Sequence, residues 1–273
     1  MKGFILAAGL GTRLLPITSH IPKALIPLVD RPLSDYGLGI LKQAGAREIG
    51  INAHHLSAQI ISYGEARNLF VFEEPEILGT GGYLRALGAF FNENMLVVNG
   101  DAVFFGDEGF TSRLVERHKN SANLITLVVM RRPDSSNVTG IELERGQVTA
   151  LGSGKFFFTG CQILSPEILS MVKTPSIVPL YRELISAGKL GAEIFSGDWF
   201  DCGTRAGLLA AHRFVSGKER FIYPGARVEP GAWIHNSVVY SGGIVGAEAD
   251  LVDSVLFKGV VGSGKRVEGE ILA

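Results

Sequence analysis

The feature that most constrains the fold is a change of period along the chain. Up to about residue 130, short apolar runs alternate with apolar residues at helical spacing. Gly3–Ala7, Glu48–Asn52, Leu69–Glu73, Met95–Val98 and Leu124–Met130 read as buried strands, being short, rich in β-branched residues and bounded by turn formers. Between them, Leu33, Tyr36, Ile40, Leu41 and Ala44 form a helical stripe that Gly45 stops, and helices are expected near 57–66, 80–87 and 110–120. Such alternation predicts an α/β fold with a mostly parallel central sheet covered by helices. From about residue 140 the pattern becomes a hairpin turning at Arg145-Gly146, then a strand at Phe156–Thr159. Ile177, Leu180, Tyr181, Leu184 and Ile185 mark one more helix.

Beyond Phe221 no helical pattern survives. Gly and Pro punctuate short β-branched pieces at spacings near six, such as Ala226–Ala232 and Val239–Val245. This resembles the hexapeptide repeat of left-handed parallel β-helices, with residues enough for two or three coils. A small β meander is the competing reading. The expected division is therefore 1–218 for the α/β domain and 219–273 for the repeat segment.

Composition narrows the function. Of 273 residues 46% are apolar and the net charge is -1, which gives no electrostatic footprint for nucleic acid or an acidic membrane. No apolar run approaches a membrane span, and FILAA is too short for a signal-peptide core. Cys161 and Cys202 lack metal spacing and read as free thiols of a reducing cytoplasm.

The chemistry is concentrated at FILAAGLGTRLLP…IPKALIPL (Phe4 onward). A dinucleotide fingerprint would need GxGxxG running into a helix, but Leu14 stands at its third glycine, and Pro16, Pro22, Pro27 and Pro32 forbid a helix before about Ser34. That disfavours a nicotinamide-dependent reductase. There is no Walker loop here either. What remains is an extended loop whose backbone N–H groups face phosphates, with Gly9 and Gly11 allowing close approach and Thr12, Arg13 and Lys23 adding side-chain donors.

These residues resemble the signature of sugar-1-phosphate nucleotidylyltransferases. Further matches follow in order: EEPEILGTGG (Glu73–Gly82) resembles the base-recognition loop, LVVNGD (Leu96–Asp101) a metal-binding strand end, FTG (Phe158–Gly160) a sugar-site strand and WFDCGT (Trp199–Thr204) a second metal segment. The resemblance covers residues 1 to about 215 and implies a Rossmann-like three-layer nucleotidyltransferase domain. It also implies attack of a sugar 1-phosphate on the α-phosphorus of an NTP, with loss of pyrophosphate.

The implied roles are as follows. Arg13 and Lys23 are catalytic cations. Leu6, Ala7, Ala8, Gly9, Gly11, Thr12, Glu74, Gly79, Thr80, Asn99 and Gly100 bind nucleotide. Gly140, Glu142, Thr159 and Gly160 bind sugar, and Asp101 and Asp201 hold Mg²⁺. A carboxylate only accepts hydrogen bonds, so Glu74 as base reader favours the two adjacent donors of guanine over uracil, hence GTP over UTP. Glu73 is the alternative reader. The Glu-Lys-Pro motif of many relatives is missing, which leaves Lys155 as a candidate for the sugar phosphate, and His54 and His55 as candidate cleft residues. The repeat tail implies a homo-oligomer. Its single base candidate, His235, makes acyl transfer a poor reading. A non-turnover regulatory homologue is the alternative, and the intact Arg13, Lys23, Asp101 and Asp201 weigh against it.

Overall fold

The structure, a computed structural model, describes residues 1–133 and 138–273. By its contacts the chain divides into two compact units, residues 1–9 with 36–199, and residues 10–35 with 200–273.

The first unit is built on a nine-stranded sheet. Its spatial order is Phe70–Glu73, Ile49–Ala53, Lys2–Leu6, Met95–Asn99, Phe156–Leu164, Ile125–Arg131, Leu190–Ile194, Gln147–Gly152 and Gly140–Glu144. The first four strands are parallel, as the strand–helix alternation predicts. Beyond them the expectation of a mostly parallel sheet holds for one pair only, Leu190–Ile194 alongside Ile125–Arg131. Phe156–Leu164 runs antiparallel to both Met95–Asn99 and Ile125–Arg131, and Gln147–Gly152 runs antiparallel to Leu190–Ile194 and Gly140–Glu144. One physical reason lies in the hairpin: the two residues between Gly140–Glu144 and Gln147–Gly152 leave no room for the crossover of a dozen or more residues that a parallel pair needs. The sheet is therefore mixed.

Helices bury their apolar stripes on this sheet. Ser57–Glu65 packs on Ile49–Ala53 and Phe70–Glu73, and Phe110–Lys119 packs on Ile125–Arg131 and Leu190–Ile194. The core includes Phe4, Tyr83, Val97, Leu127, Leu164 and Leu184, none more than 1% exposed. Phe4 stacks on Tyr83 with ring centroids 5.2 Å apart, which anchors the first strand directly below the glycine-rich loop.

The second unit has two parts. Residues 10–35 form three single 3₁₀ turns (Thr12–Leu14, Ile17–Ser19, Lys23–Leu25) and a two-residue hairpin pairing Pro27–Leu28 with Arg31–Pro32. The prolines that forbid a helix leave such short turns as the available local structure. Residues 200–273 hold the helix Arg205–Ser216 and then stacked strands. The helix buries Leu208, Leu209, Ala211 and His212, and Thr204 caps it by accepting from Gly207 N at 3.1 Å. In the stack all pairing is parallel, and the chain returns to register at Phe221, Val238, Val255 and Ile271. A second face does the same at Trp233, Asp250 and Arg266. Ile234, Val239, Val245, Leu251 and Leu256 fill the interior.

Candidate functional site

In the first unit the loop begins where the buried strand Lys2–Leu6 ends. Leu6 C=O accepts from Gly100 N at 2.9 Å, tying the ends of two neighbouring strands together. The next two backbone N–H groups, of Ala7 and Ala8, donate to Asn52 Oδ1 at 2.6 and 3.2 Å. Asn52 Nδ2 donates in turn to Glu74 Oε1 at 2.7 Å, and Glu74 Oε2 accepts from Leu78 N at 3.0 Å. Asn52 and Glu74 are 4% and 5% exposed. This corrects the expectation for Glu74. Its two carboxylate oxygens point inward and are engaged, so it is a positioning residue for the start of the loop rather than a reader of the base edge. The preference for guanine drawn from it loses its footing.

Asn52 was missed by sequence reasoning. The available signal was a polar residue at the C-terminal end of an apolar strand, as also at Asn99. Residues 79 and 80 are likewise committed internally. A Cβ at Gly79 would come 2.6 Å from Pro175 O, and Thr80 Oγ1 accepts from Ile177 N at 3.2 Å. His54 Nδ1 lies 2.8 Å from Glu74 O and so belongs to the same network, and His55 is half-buried beside it.

At the neighbouring strand ends, Asp101 is 7% exposed and stands two residues beyond Asn99, the last residue of Met95–Asn99. Gly160 has φ +84° and gives its space to Asn99, whose Nδ2 would lie 2.6 Å from a Cβ there; this is a close approach that only glycine permits. Thr159 requires a correction. It is 1% exposed and donates its hydroxyl to Val128 O at 2.8 Å, so the side chain serves the sheet rather than a sugar. Its carbonyl accepts from Trp199 Nε1 at 2.9 Å, and Trp199 meets Phe157 edge-on at 5.1 Å, a support that the motif reading overlooked.

Gly140 packs against the Ser153 backbone, and the exposed Glu142 accepts from Ser153 Oγ at 3.3 Å. Lys155 is exposed and lines a cavity of about 390 Å³ with Arg131, Arg132, Pro133 and Gly154. Cys161 is buried, and burial pushes its thiol well above the usual range, which suits an inert core residue.

The second unit carries the cations. Gly9, at the end of the first unit, has open space around its Cβ position; beyond it Thr12 and Arg13 are exposed. Gly11 has φ +67°, and a Cβ there would lie 2.7 Å from Thr18 Cγ2 and 3.1 Å from Lys23 Cβ. Thr18 Oγ1 donates to Gly11 O at 3.1 Å. Gly11 therefore lets the Lys23 turn pack closely against its own backbone. Arg13 Nη1 donates to Asp201 Oδ2 at 3.2 Å, and Asp201 Oδ1 accepts from Gly203 N at 3.0 Å. The Arg13 and Asp201 side chains are 60% and 36% exposed, so the pair is solvent-screened and easily exchanged.

Both aspartates offer hard oxygen donors. Among the described residues no cluster of three or more His, Cys, Asp or Glu could cage a metal. Mg²⁺ needs no such cage, being commonly held by one or two carboxylates plus substrate oxygens, so the donor chemistry fits. No helix among the described residues is long and apolar enough to cross a membrane.

Comparison with known proteins matches residues 2–218 to the nucleotidyl transferase family. A UTP–glucose-1-phosphate uridylyltransferase of Synechocystis is 28% identical over 93% of this chain and 72% of its own length. An N-acetylmuramate α-1-phosphate uridylyltransferase of Neisseria meningitidis is 30% identical over 77% of this chain and 96% of its own. Thymidylyl- and guanylyltransferases are also among the relatives. The crystal structure of a UDP-glucose pyrophosphorylase with UDP-glucose superposes with TM-score 0.70 at 21% identity, over 79% of this chain and 98% of that one, a likeness of fold.

Proposed function

The chain belongs to the nucleotidyl transferase family and is a sugar-1-phosphate nucleotidylyltransferase; on that premise we propose that it joins a sugar 1-phosphate to UTP with Mg²⁺. The observation that carries the reading is the loop from Gly9 to Lys23. It leaves a strand buried from Lys2 to Ile5, is exposed from Gly9 through Arg13 apart from the half-buried Gly11, and bears two cations.

In this reaction a sugar phosphate oxygen attacks the α-phosphorus, the bond to the bridging oxygen breaks, and pyrophosphate leaves with that electron pair. Both reactants are anions, so the protein's task is positioning and charge neutralisation. The backbone around Gly9, Gly11 and Thr12 cradles phosphate oxygens. Arg13 has a planar fork suited to the β- and γ-phosphates, and Lys23 places a point charge by the α-phosphate. Asp101 and Asp201 would each supply a carboxylate to Mg²⁺. The metal, when bound, neutralises charge building on the transferred and leaving oxygens. Arg13 meets Asp201 through Nη1 alone, which leaves the other N–H groups of the guanidinium for phosphate oxygens.

UTP is preferred here because the carboxylate argument for guanine has gone and two relatives of long overlap are uridylyltransferases. Gly140, Glu142 and Gly160 remain the sugar-side candidates, and the backbone about Gly79, Thr80, Asn99 and Gly100 the nucleotide-side ones. We read 219–273 as a short left-handed parallel β-helix, the segment through which copies would associate. The nucleotide substrate places the reaction in the cytoplasm.

The test is pyrophosphate release across the four NTPs and a panel of sugar 1-phosphates, with Asp101→Asn and Glu74→Gln alongside. The expected result is release needing both substrates and Mg²⁺, strongest with UTP. Asp101→Asn should lower it by about 10²-fold or more. Glu74→Gln should keep the base preference. A GTP preference that Glu74→Gln abolishes would restore Glu74 as base reader, and no release with any pair would overturn the reaction.

A further inference from the structure

We infer that Tyr223 and Tyr240, in the stacked-strand segment, are positioning residues for the nucleotide loop, acting through the backbone of the Pro27–Pro32 hairpin. The inference rests on the loop's proposed role. Both tyrosine hydroxyls lie on one carbonyl: Pro27 O is 2.9 Å from the Tyr223 hydroxyl and 2.8 Å from that of Tyr240. Val29 N donates to the Tyr223 hydroxyl at 2.9 Å, and His212 Nε2 lies 2.9 Å from the same oxygen. The two tyrosine rings stack at 4.5 Å and 13°, and His212 meets each of them edge-on.

The proton count settles how these bonds run. His212 Nδ1 faces Leu208 O at 2.9 Å. A carbonyl only accepts, so Nδ1 carries the hydrogen and the neutral ring offers a lone pair at Nε2. Tyr240 gives its proton to Pro27 O. Tyr223 gives its own to His212 Nε2 while its oxygen accepts from Val29 N–H. Every group in the cluster has a partner, as burial demands.

The hairpin is a place that needs holding. Val29 and Asp30 form its two-residue turn, and Val29 has φ +61°, a region costly for a β-branched side chain and normally given to glycine. The hairpin is also continuous with the Lys23 turn. Ile26 N donates to Lys23 O at 3.2 Å, Leu33 N to Ile26 O at 3.1 Å, and Ser34 Oγ to Ala24 O at 2.9 Å. A shift at Pro27–Val29 is thus passed to Lys23, and through its packing to Gly11.

The single proton of Tyr223 makes the two tyrosines unequal. In Tyr240→Phe, Tyr223 can turn its proton to Pro27 O. In Tyr223→Phe, Tyr240 reaches Pro27 O but nothing replaces the acceptor for Val29 N–H. The experiment measures steady-state kinetics and amide hydrogen exchange without substrate in both variants. Tyr223→Phe should lower kcat/KM for the NTP by about tenfold, leave KM for the sugar 1-phosphate within about twofold, and speed exchange over residues 23–33. Tyr240→Phe should change kcat/KM for the NTP by less than about threefold. The proposal is overturned if exchange in 23–33 is unchanged in Tyr223→Phe, or if that variant loses both substrates equally along with its melting temperature. The exchange arm needs no turnover. A wild-type chain without activity would sink the reaction while leaving the brace to be decided by exchange alone.

Discussion

The proposed nucleotide loop is one continuous stretch held by two different devices. At its start, Ala7 and Ala8 hang on Asn52, which is steadied by the buried carboxylate of Glu74. At its far end, Pro27 and Val29 hang on two tyrosine hydroxyls and a neutral histidine. The first device contains a buried charge and comes from strands adjacent in the sheet. The second carries no formal charge and comes from residues about two hundred positions away. The difference teaches where each is vulnerable. Removing a partner of a buried charge costs far more than removing a neutral hydroxyl, whereas the neutral cluster depends on a proton count that acid can change.

The largest effect should come from Asn52→Leu. It leaves Glu74 Oε1 without its partner inside the protein and strips the Ala7 and Ala8 N–H groups of their acceptor. Each buried group so stranded costs about 1–3 kcal/mol, and more for the charged oxygen, readable as a lower urea midpoint. Adding Glu74→Leu should recover part of that loss, because the stranded charge goes with it. A single variant within about 1 kcal/mol of wild type would mean that the carboxylate finds water or another donor, and the contrast between the two devices would fail.

A smaller effect appears with pH in both units. Each buries a histidine whose burial lowers its pKa to about 4, His118 in the first and His212 in the second. The unfolded chain takes up protons near pH 6.5 that the folded chain refuses until about pH 4. Stability attached to these rings is therefore present above about pH 6.5, falls as pH drops through that window, and changes no further below it. For His212 the loss is about 3 kcal/mol at most. His118, lowered as far, should lose a similar amount. Urea titrations at pH 7, 5.5 and 4 on His118→Gln and His212→Gln should each give a flatter stability profile than the wild-type chain. A profile as steep as wild type in either variant would contradict the assignment for that ring.

How much of this was legible in the sequence follows from the range of each contact. The strand into Gly9, the cation at Arg13, and the polar ends at Asn99 and Asp101 were readable, because a parallel sheet opens its site at strand C-termini. The side-chain duties of Glu74 and Thr159 were not. Both stand in motif segments, yet one faces Asn52 and the other Val128, a matter of side-chain direction that spacing does not carry. The mixed sheet was hidden because Leu190–Ile194 and the 140–164 hairpin insert out of sequence order. Tyr223 and Tyr240 looked like ordinary aromatic residues of a repeat, and their role depends on Val29, 194 residues from the first of them.

The most direct test of the account is hydrogen exchange of the intact chain with and without UTP and Mg²⁺. The account predicts new protection across residues 9–23, where backbone N–H groups close on phosphate. Bound nucleotide with no change in exchange over 9–23, and protection elsewhere, would contradict it.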